Sequence, residues 1–139
     1  MSRLAFTYPF KYQEHLMLLM MRCIGGGLML HLHGWSKWEN YASKAPKFPD
    51  PLGIGSENSL ALTVFAEVIC STTLVLGLFT RWSAFVCMFT MGVAAFIVHQ
   101  DDPVKVQEKA LLYFAIYGAL TTFGPGAFSV DALRQSKTG

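Results

Sequence analysis

Four long apolar segments constrain this chain more strongly than any other feature of its sequence. Each segment approaches the roughly 17 to 25 residues that a helix needs in order to cross the hydrocarbon core of a bilayer. The spans predicted from these segments cover residues 16–35, 58–79, 82–99 and 108–124. The sequence therefore predicts an all-α integral membrane protein, a four-helix bundle in which residues 1–139 form a single transmembrane domain.

The composition supports a lipid-embedded fold and excludes several other classes. Of the 139 residues, 53% are hydrophobic and only 14% are charged, whereas about a quarter of the residues in an ordinary soluble domain are charged. So few charges could not cover the surface of a small soluble fold. A soluble enzyme, a nucleic-acid-binding protein and a disulfide-rich secreted domain are thereby excluded.

Charge and cysteine patterns indicate no further class of partner. The net charge is +2, and lysine and arginine occur singly rather than in the clusters that bind polyanions. The three cysteines, Cys23, Cys70 and Cys87, all fall within apolar segments and form no Cys-x-x-Cys motif. Their pattern predicts small packing residues rather than a disulfide framework or a redox dithiol.

The connections between the spans set the order of the helices. Residues 1–15 interleave aromatic and polar side chains, and we expect them to form a short interfacial segment in the headgroup region. A long proline-containing loop covers residues 36–59. Only Thr80 and Arg81 separate the second and third apolar segments, so these spans must be antiparallel neighbours. A short polar tail begins at Ser129, which is available as a helix cap.

Four spans place both termini on one side of the membrane. Outside the spans, lysine and arginine are equally numerous on the two sides, so the positive-inside rule assigns no orientation. The acidic residues crowd the side opposite the termini. This distribution favours termini in the cytoplasm.

Ionisable side chains within the spans indicate where a site could lie, because a charge at mid-bilayer costs at least about 2.5 kcal/mol. Arg22 and His33 fall on one face of the first span, and His31 falls on the opposite face. At about 1.5 Å per residue, Arg22 lies roughly 16 Å below His33, close to the depth of Glu67 in the second span. We therefore predict a buried ion pair between Arg22 and Glu67, which serves either helix packing or chemistry.

A second group of polar side chains is predicted near one membrane face. His33 ends the first span, His99 ends the third and Glu108 begins the fourth. The three side chains either form a pocket that opens on this side, or are satisfied separately by water, headgroups and the helix dipole. Haem between His33 and His99 is a weaker alternative, because no supporting motif accompanies the two histidines. No metal site is predicted.

Aromatic side chains suggest a site for a quinone. Tyr113, Tyr117 and Trp82 could line the flat apolar cavity that a quinone ring needs, with donors for its carbonyl oxygens. Alternatively, these rings face lipid or belong to the interfacial aromatic belt. The candidate catalytic residues are Arg22, His33, Glu67, His99 and Glu108, and the candidate cofactor contacts are His33, His99 and Tyr117.

Several motifs occur in a fixed order along the chain. They are Arg22, His33-Gly34 with Lys37, Glu67, Leu76-Gly77-Leu78 with Thr80-Arg81, His99, Glu108, and Gly124-Pro125-Gly126 with Ser129 and Asp131. In this order and spacing the sequence resembles the DoxX family over most of its length. The resemblance implies a small four-helix protein of the bacterial or archaeal cytoplasmic membrane. It also implies relatives in quinone-linked oxidoreduction and in membrane complexes that protect against oxidative or thiol stress.

Two functions of different classes follow. As a quinone-associated redox protein or a subunit of a membrane oxidoreductase complex, the chain would use His33 and His99 to exchange protons with the quinone. Electrons would then come from a partner subunit or a small substrate, because no paired cysteine motif is present. As a noncatalytic structural or assembly subunit of a larger membrane complex, the chain would use its polar core only to specify helix packing.

Overall fold

The computed structural model describes residues 11–137, and every regular element among them is helical. In chain order the helices are α1 (Tyr12–Glu39), α2 (Tyr41–Lys44), α3 (Ser56–Leu76), α4 (Thr80–Val98), α5 (Val104–Phe123) and α6 (Val130–Ser136), with a 3₁₀ turn at Ala45–Lys47. The all-α prediction is confirmed for the part of the chain that the structure describes.

Three of these helices are long and apolar enough to cross a membrane, namely α1 with 28 residues, α3 with 21 and α4 with 19. The first three predicted spans are therefore confirmed as helices, with boundaries that shift by a few residues. Helix α5 has 20 residues but is not among the spanning candidates, because Lys105, Glu108 and Lys109 lie in its first two turns. Among the described residues, the structure thus supports three spans rather than the predicted four.

Helices α3 and α4 form the predicted antiparallel hairpin, and α5 packs along the length of α4. The side chains enclosed between the helices are small, aliphatic or aromatic, and they include Leu74, Ala84, Cys87, Tyr117 and Leu120. Large apolar side chains also point outward, for example Leu62, Phe89 and Leu112. An apolar exterior around a packed interior is the arrangement that lipid requires.

Helix α1 approaches α3 closely because glycines lie at the contact. A Cβ atom at Gly34 would lie 2.7 Å from the carbonyl oxygen of Glu67, and one at Gly26 would lie 2.9 Å from that of Ser71. Any larger residue would therefore push the two backbones apart. Glycine at these two positions therefore lets α3 approach α1 closely.

A tight turn joins α3 to α4. Gly77 ends α3 in the left-handed conformation, with φ of 71°, which a glycine adopts without the steric cost of a Cβ. The chain after α5 returns beneath this turn and starts α6, where the Oγ of Ser129 accepts a hydrogen bond from the backbone N–H of Ala132 at 3.1 Å. The prediction that Ser129 caps a helix is confirmed, and that helix, α6, occupies most of the polar tail.

The predicted interfacial segment lies mostly outside the described residues, since residues 1–10 are not described. The rest of it belongs to α1, which begins at Tyr12, ahead of the predicted span. The ring of Tyr12 packs edge-on against Phe128, with 5.6 Å between the ring centroids. Tyr12 is therefore part of a contact between α1 and the chain segment that precedes α6.

Candidate functional site

The three spanning helices contain π-helical turns, and most of the candidate polar residues lie within them. These turns are Arg22–Gly26 and Met29–Gly34 in α1, Phe65–Cys70 in α3 and Ala94–Val98 in α4. Arg22, His33 and Glu67 each lie inside one. A π turn widens the helix and re-aims its side chains, and such turns occur frequently at functional sites.

Arg22 is fully buried and connects α1 to the end of α3 and to the chain segment that precedes α6. Its Nη1 donates to the carbonyl oxygens of Leu74 and Val75, each at 3.3 Å, and its Nη2 donates to the carbonyl oxygen of Phe128. The carbonyl groups in the last turn of α3 have no partners within the helix. A cation satisfies them and complements the negative end of the helix dipole, so Arg22 acts here as a structural contact.

The predicted ion pair between Arg22 and Glu67 is wrong. Both side chains are buried and turned inward, but Glu67 pairs with Lys37, whose Nζ lies 2.6 Å from Oε2 of Glu67. The predicted depths were wrong, because Glu67 packs beside Gly34, twelve residues along α1 from Arg22, and side chains on a helix lean toward its N-terminus. Lys37 therefore reaches back along α1 to Glu67, while the carbonyl groups at the end of α3 bind Arg22.

His33, Lys37, Glu67, Tyr113 and Tyr117 form a group that we call the inner cluster. The Nζ of Lys37 donates to the carbonyl oxygen of His33 at 3.4 Å as well as to Glu67. The His33 ring packs edge-on against Tyr113, and Tyr113 stacks with Tyr117, with 5.8 Å between the centroids in each case. The inner cluster thus joins α1, α3 and α5 through one ion pair and one column of rings.

The members of the inner cluster differ in their access to the surroundings. The side chain of Lys37 is 21% exposed and that of Glu67 only 6%. Tyr117 is fully buried, and its hydroxyl donates to the carbonyl oxygen of Gly25 at 3.1 Å. His33 and Tyr113 are partly exposed. A ligand that approaches the inner cluster would therefore meet His33 and Tyr113 before Tyr117.

The two histidines of α1 are separated as the sequence predicted. His31 is exposed, whereas His33 is half-buried within the inner cluster. Sequence reasoning missed the ion pairing of Lys37 and the ring contact between His33 and Tyr113. The signal for Lys37 was its position four residues after His33, which places both on the same face of α1.

The predicted pocket of His33, His99 and Glu108 is not formed by contacts within residues 11–137. Nδ1 of His99 lies 2.7 Å from Oδ2 of Asp102, and Nε2 of Gln107 donates to the carbonyl oxygen of His99 at 2.6 Å. These contacts brace the linker between α4 and α5. Glu108 is exposed in the second turn of α5. His33 contacts Tyr113, His99 contacts Asp102, and Glu108 is exposed, so the three side chains do not meet.

Trp82 does not belong to the inner cluster. Its side chain is 70% exposed and stacks on Phe85 at the start of α4. Of the two alternatives that the sequence offered, Trp82 therefore fits a lipid-facing position better than a position in the wall of a quinone cavity.

An apolar cleft of about 450 Å³ lies elsewhere on the molecule, lined by Trp38, Tyr41 and Phe65 among others. Phe65 and Glu67 are two residues apart on α3, and their side chains are therefore rotated by about 200° around the helix axis. The cleft and the inner cluster lie on different faces of α3. The cleft adds no polar side chain to the candidate site.

Two further charged residues hold helix ends on the side of the α3 to α4 turn. Nη1 of Arg81 donates to the carbonyl oxygens of Thr121 and Thr122, at 2.9 and 2.6 Å, and so caps the C-terminus of α5. The carboxylate of Asp131 accepts from the backbone N–H groups of Phe79 and Thr80, both at 2.9 Å, at the N-terminus of α4. We call the interactions of Arg22, Arg81 and Asp131 the turn-side contacts.

The loop on the opposite side is organised by Asp50. Its carboxylate accepts hydrogen bonds at 2.9 Å from the backbone N–H groups of Ile54 and Gly55 and from the hydroxyl of Ser59. These donors, with the Gly55 N–H foremost, hold the pKa of the Asp50 carboxyl below its ordinary value. The ionised carboxylate thus fixes the loop to the first turn of α3.

Two cysteines from different helices meet in the interior. Cys70 on α3 and Cys87 on α4 are both buried within the main core, whereas Cys23 is exposed. The Cys87 thiol donates to the carbonyl oxygen of Ala66 at 3.3 Å. Sequence spacing gave no cysteine pair, but the fold brings these two thiols together. Among residues 11–137, no group of three or more His, Cys, Asp or Glu side chains could hold a metal ion.

Comparison with known proteins adds one finding to this geometry. The DoxX family model matches residues 17–100, which hold most of α1 and all of α3 and α4. The matched region contains Arg22, the inner-cluster residues of α1 and α3, and the two buried cysteines, whereas the motifs in residues 124–131 lie beyond it. No curated protein and no solved structure matches the chain. Because the family match covers more than half of its length, the chain belongs to the DoxX family.

Proposed function

We propose that this DoxX protein is a quinone-associated redox protein of the bacterial cytoplasmic membrane, acting alone or as a subunit of a membrane oxidoreductase complex. The observation that carries the proposal is the inner cluster. It combines an ion pair largely excluded from water with a half-buried histidine and two stacked tyrosines, inside helices that can span a membrane. An ionisable group in such a helix is by default a candidate for function.

The chemistry of a quinone fits these residues. Reduction of a quinone adds two electrons and two protons, one proton at each carbonyl oxygen. An imidazole nitrogen can donate or accept a proton, which suits His33 to deliver or accept such a proton. The ring of Tyr113 offers a flat surface for the quinone ring and a hydroxyl as donor. The ion pair of Lys37 with Glu67 supplies compensating charge beside His33.

The proposal includes a fourth span formed by α5. Its 20 residues correspond to about 30 Å of helix, the thickness of the hydrocarbon core. It packs along α4 and turns large apolar side chains such as Leu112 outward. The charges near its start would then lie at the headgroup level. With α5 crossing, both termini lie on one side, which we assign to the cytoplasm. A C-terminal alkaline phosphatase fusion should be inactive, and an active fusion would contradict this orientation.

A noncatalytic role as a structural or assembly subunit is the second candidate. The turn-side contacts favour it, since Arg22, Arg81 and Asp131 all bind backbone groups at helix ends. Under this alternative, the inner cluster would only fix the register of α1 against α3. Partner subunits would then bind the assembled bundle, and no quinone would contact His33.

A matched pair of histidine variants separates the two candidates. His33→Ala removes the inner-cluster imidazole, and His31→Ala removes an exposed imidazole two residues away on the same helix. We expect His33→Ala to lower the affinity for a labelled short-chain ubiquinone at least tenfold, measured by displacement in reconstituted vesicles. The affinity of His31→Ala should be close to that of the parent protein. Turnover of quinol in membranes should fall by about 10²-fold in His33→Ala, the usual contribution of a proton-transferring group. Unchanged quinone binding in His33→Ala, with loss of an isolated complex, would support the structural role instead.

A further inference from the structure

The hairpin of α3 and α4 aligns two cysteines across its interface. The hydroxyl oxygens of Thr73 on α3 and Ser83 on α4 lie 2.7 Å apart and fix the register of the antiparallel pair. One helical turn farther from the hairpin turn, the side chains on the same faces are Cys70 and Cys87. Their residues are only 5% and 2% exposed.

A second contact places the Cys87 thiol against α3. Its Sγ lies 3.3 Å from the carbonyl oxygen of Ala66, the residue one turn before Cys70. These contacts place Cys70 and Cys87 on facing sides of α3 and α4. Both cysteines are free thiols, and Tyr117 of the inner cluster belongs to the same packed core. The pair thus lies next to the proposed quinone site and away from water.

We infer that Cys70 and Cys87 form a redox-active dithiol that closes to a disulfide between α3 and α4 as a quinone is reduced. This inference rests on the proposed function and names its electron donor. Two S–H bonds break and one S–S bond forms, which releases two electrons and two protons. The quinone takes up both electrons and both protons and becomes the quinol. An apolar oxidant suits thiols in this position, because it dissolves in the bilayer that surrounds the helices.

The side chains around the thiols can receive the first proton. Glu67 lies three residues before Cys70, on the same face of α3, and its carboxylate is turned into the interior. A thiol reacts as its thiolate, so a nearby carboxylate is a suitable proton acceptor. Glu67 contacts Lys37, whose side chain is partly exposed and connects the carboxylate to the surroundings.

The test follows the thiols and the quinone in the same sample. The reduced full-length protein is reconstituted in vesicles under argon and mixed with ubiquinone-1. Quinol is measured by absorbance, and linked peptides are identified by mass spectrometry after free thiols are alkylated. We expect a stoichiometric yield of quinol and a peptide pair linked through Cys70 and Cys87. Cys23→Ser is the matched control, because this cysteine is exposed on α1 and should not affect either readout.

Single substitutions identify the reacting thiols. Cys70→Ser and Cys87→Ser should each lose the linked peptides and lower the quinol yield at least tenfold, while ubiquinone-1 still binds. The parent protein's linked peptides provide a readout that does not depend on how well either variant folds. If the parent protein binds ubiquinone-1 but keeps both thiols free, the dithiol is refuted and the proposed function stands. Equal quinol yield in Cys70→Ser also refutes the dithiol. No binding of ubiquinone-1 by the parent protein refutes both.

Discussion

The ion pair between Lys37 and Glu67 gives the sharpest energetic prediction. We consider three variants, Lys37→Met, Glu67→Met and the double substitution, because methionine approximates the volume of both side chains without their charge. Removing one member of a buried pair leaves the other without compensation, whereas replacing both with apolar groups is often neutral or stabilising. The double variant should therefore lose less stability than the sum of the losses in the two single variants.

The exposed fractions of the two side chains set the magnitudes. The Glu67 side chain is only 6% exposed, so Lys37→Met leaves a carboxylate with little access to water, and we expect a cost of about 3–5 kcal/mol. The Lys37 side chain is 21% exposed and has a long flexible stem. Glu67→Met should therefore cost less, about 1–3 kcal/mol. The double variant should lie within about 1 kcal/mol of the parent protein, and the coupling energy should therefore be at least about 3 kcal/mol.

The free energy of unfolding of all four proteins can be measured by reversible unfolding in mixed micelles. The loss of helical circular dichroism is followed as the fraction of denaturing detergent increases. Lys47→Met is a suitable control, because Lys47 is exposed in the 3₁₀ turn that follows α2. It should change the free energy of unfolding by less than about 0.5 kcal/mol. Additive effects of the two substitutions, with no coupling energy, would show that Lys37 and Glu67 do not stabilise each other and would refute this reasoning.

Three further outcomes follow from individual contacts. Gly77→Ala should destabilise the protein by more than the roughly 1–2 kcal/mol that a left-handed conformation costs a non-glycine residue, because the new Cβ would also collide with the Arg22 guanidinium. Gly27→Ala should be tolerated in the same unfolding assay, because a Cβ at Gly27 would meet no atom within 4 Å. Asp131→Ala should lower the melting temperature by removing two hydrogen bonds at the start of α4, and an unchanged melting temperature would contradict that capping role. The pKa of Asp50 is lowered by its backbone donors, so its stabilisation of the loop is present above the ordinary aspartate pKa of about 3.9 and is lost as pH falls through the lower folded value. The protection of the Gly55 amide against hydrogen exchange, relative to its intrinsic rate at each pH, should therefore fall over that acidic range and be retained above it.

Much of the helical framework was predictable from local features of the sequence. Apolar segments of spanning length predicted the positions of α1, α3 and α4, and the short polar break at Arg81 predicted the hairpin. The cap at Ser129 was also predictable, because capping depends on neighbouring backbone groups. These features share a local cause, since each depends on residues within a few turns of one another.

The partners of long charged side chains were not predictable in the same way. Depth reasoning placed Arg22 and Glu67 at similar levels and therefore paired them. Arg22 instead binds the carbonyl oxygen of Phe128, which is 106 residues away in the chain. No periodicity in the sequence shows that this backbone segment returns beneath the turn after α3. A flexible side chain selects among all groups within its reach, and those groups are fixed only by the tertiary fold.

The cysteine pair lies between these two cases. A search for Cys-x-x-Cys finds nothing, because Cys70 and Cys87 lie on different helices. Yet the short turn around Gly77 limits how far α3 can slide against α4. Once Thr73 faces Ser83, the pairing of the two cysteines follows from one further helical turn on each side. A tight antiparallel turn thus carries register information that a motif search does not use.

The polar residues described above fall into two groups, those that bind backbone groups and those that bind each other. This difference indicates which substitutions can alter function without loss of stability. In the turn-side contacts, Arg22 and Asp131 bind backbone groups at helix ends. Changing either residue removes hydrogen bonds to those groups and so weakens the fold. In the inner cluster, Lys37 and Glu67 mainly bind each other. Replacing both leaves no unpaired charge, so the double methionine variant should keep its helices. If the inner cluster serves a quinone, that stable variant should nevertheless bind ubiquinone-1 more weakly than the parent protein, which a purely structural role for the cluster does not predict.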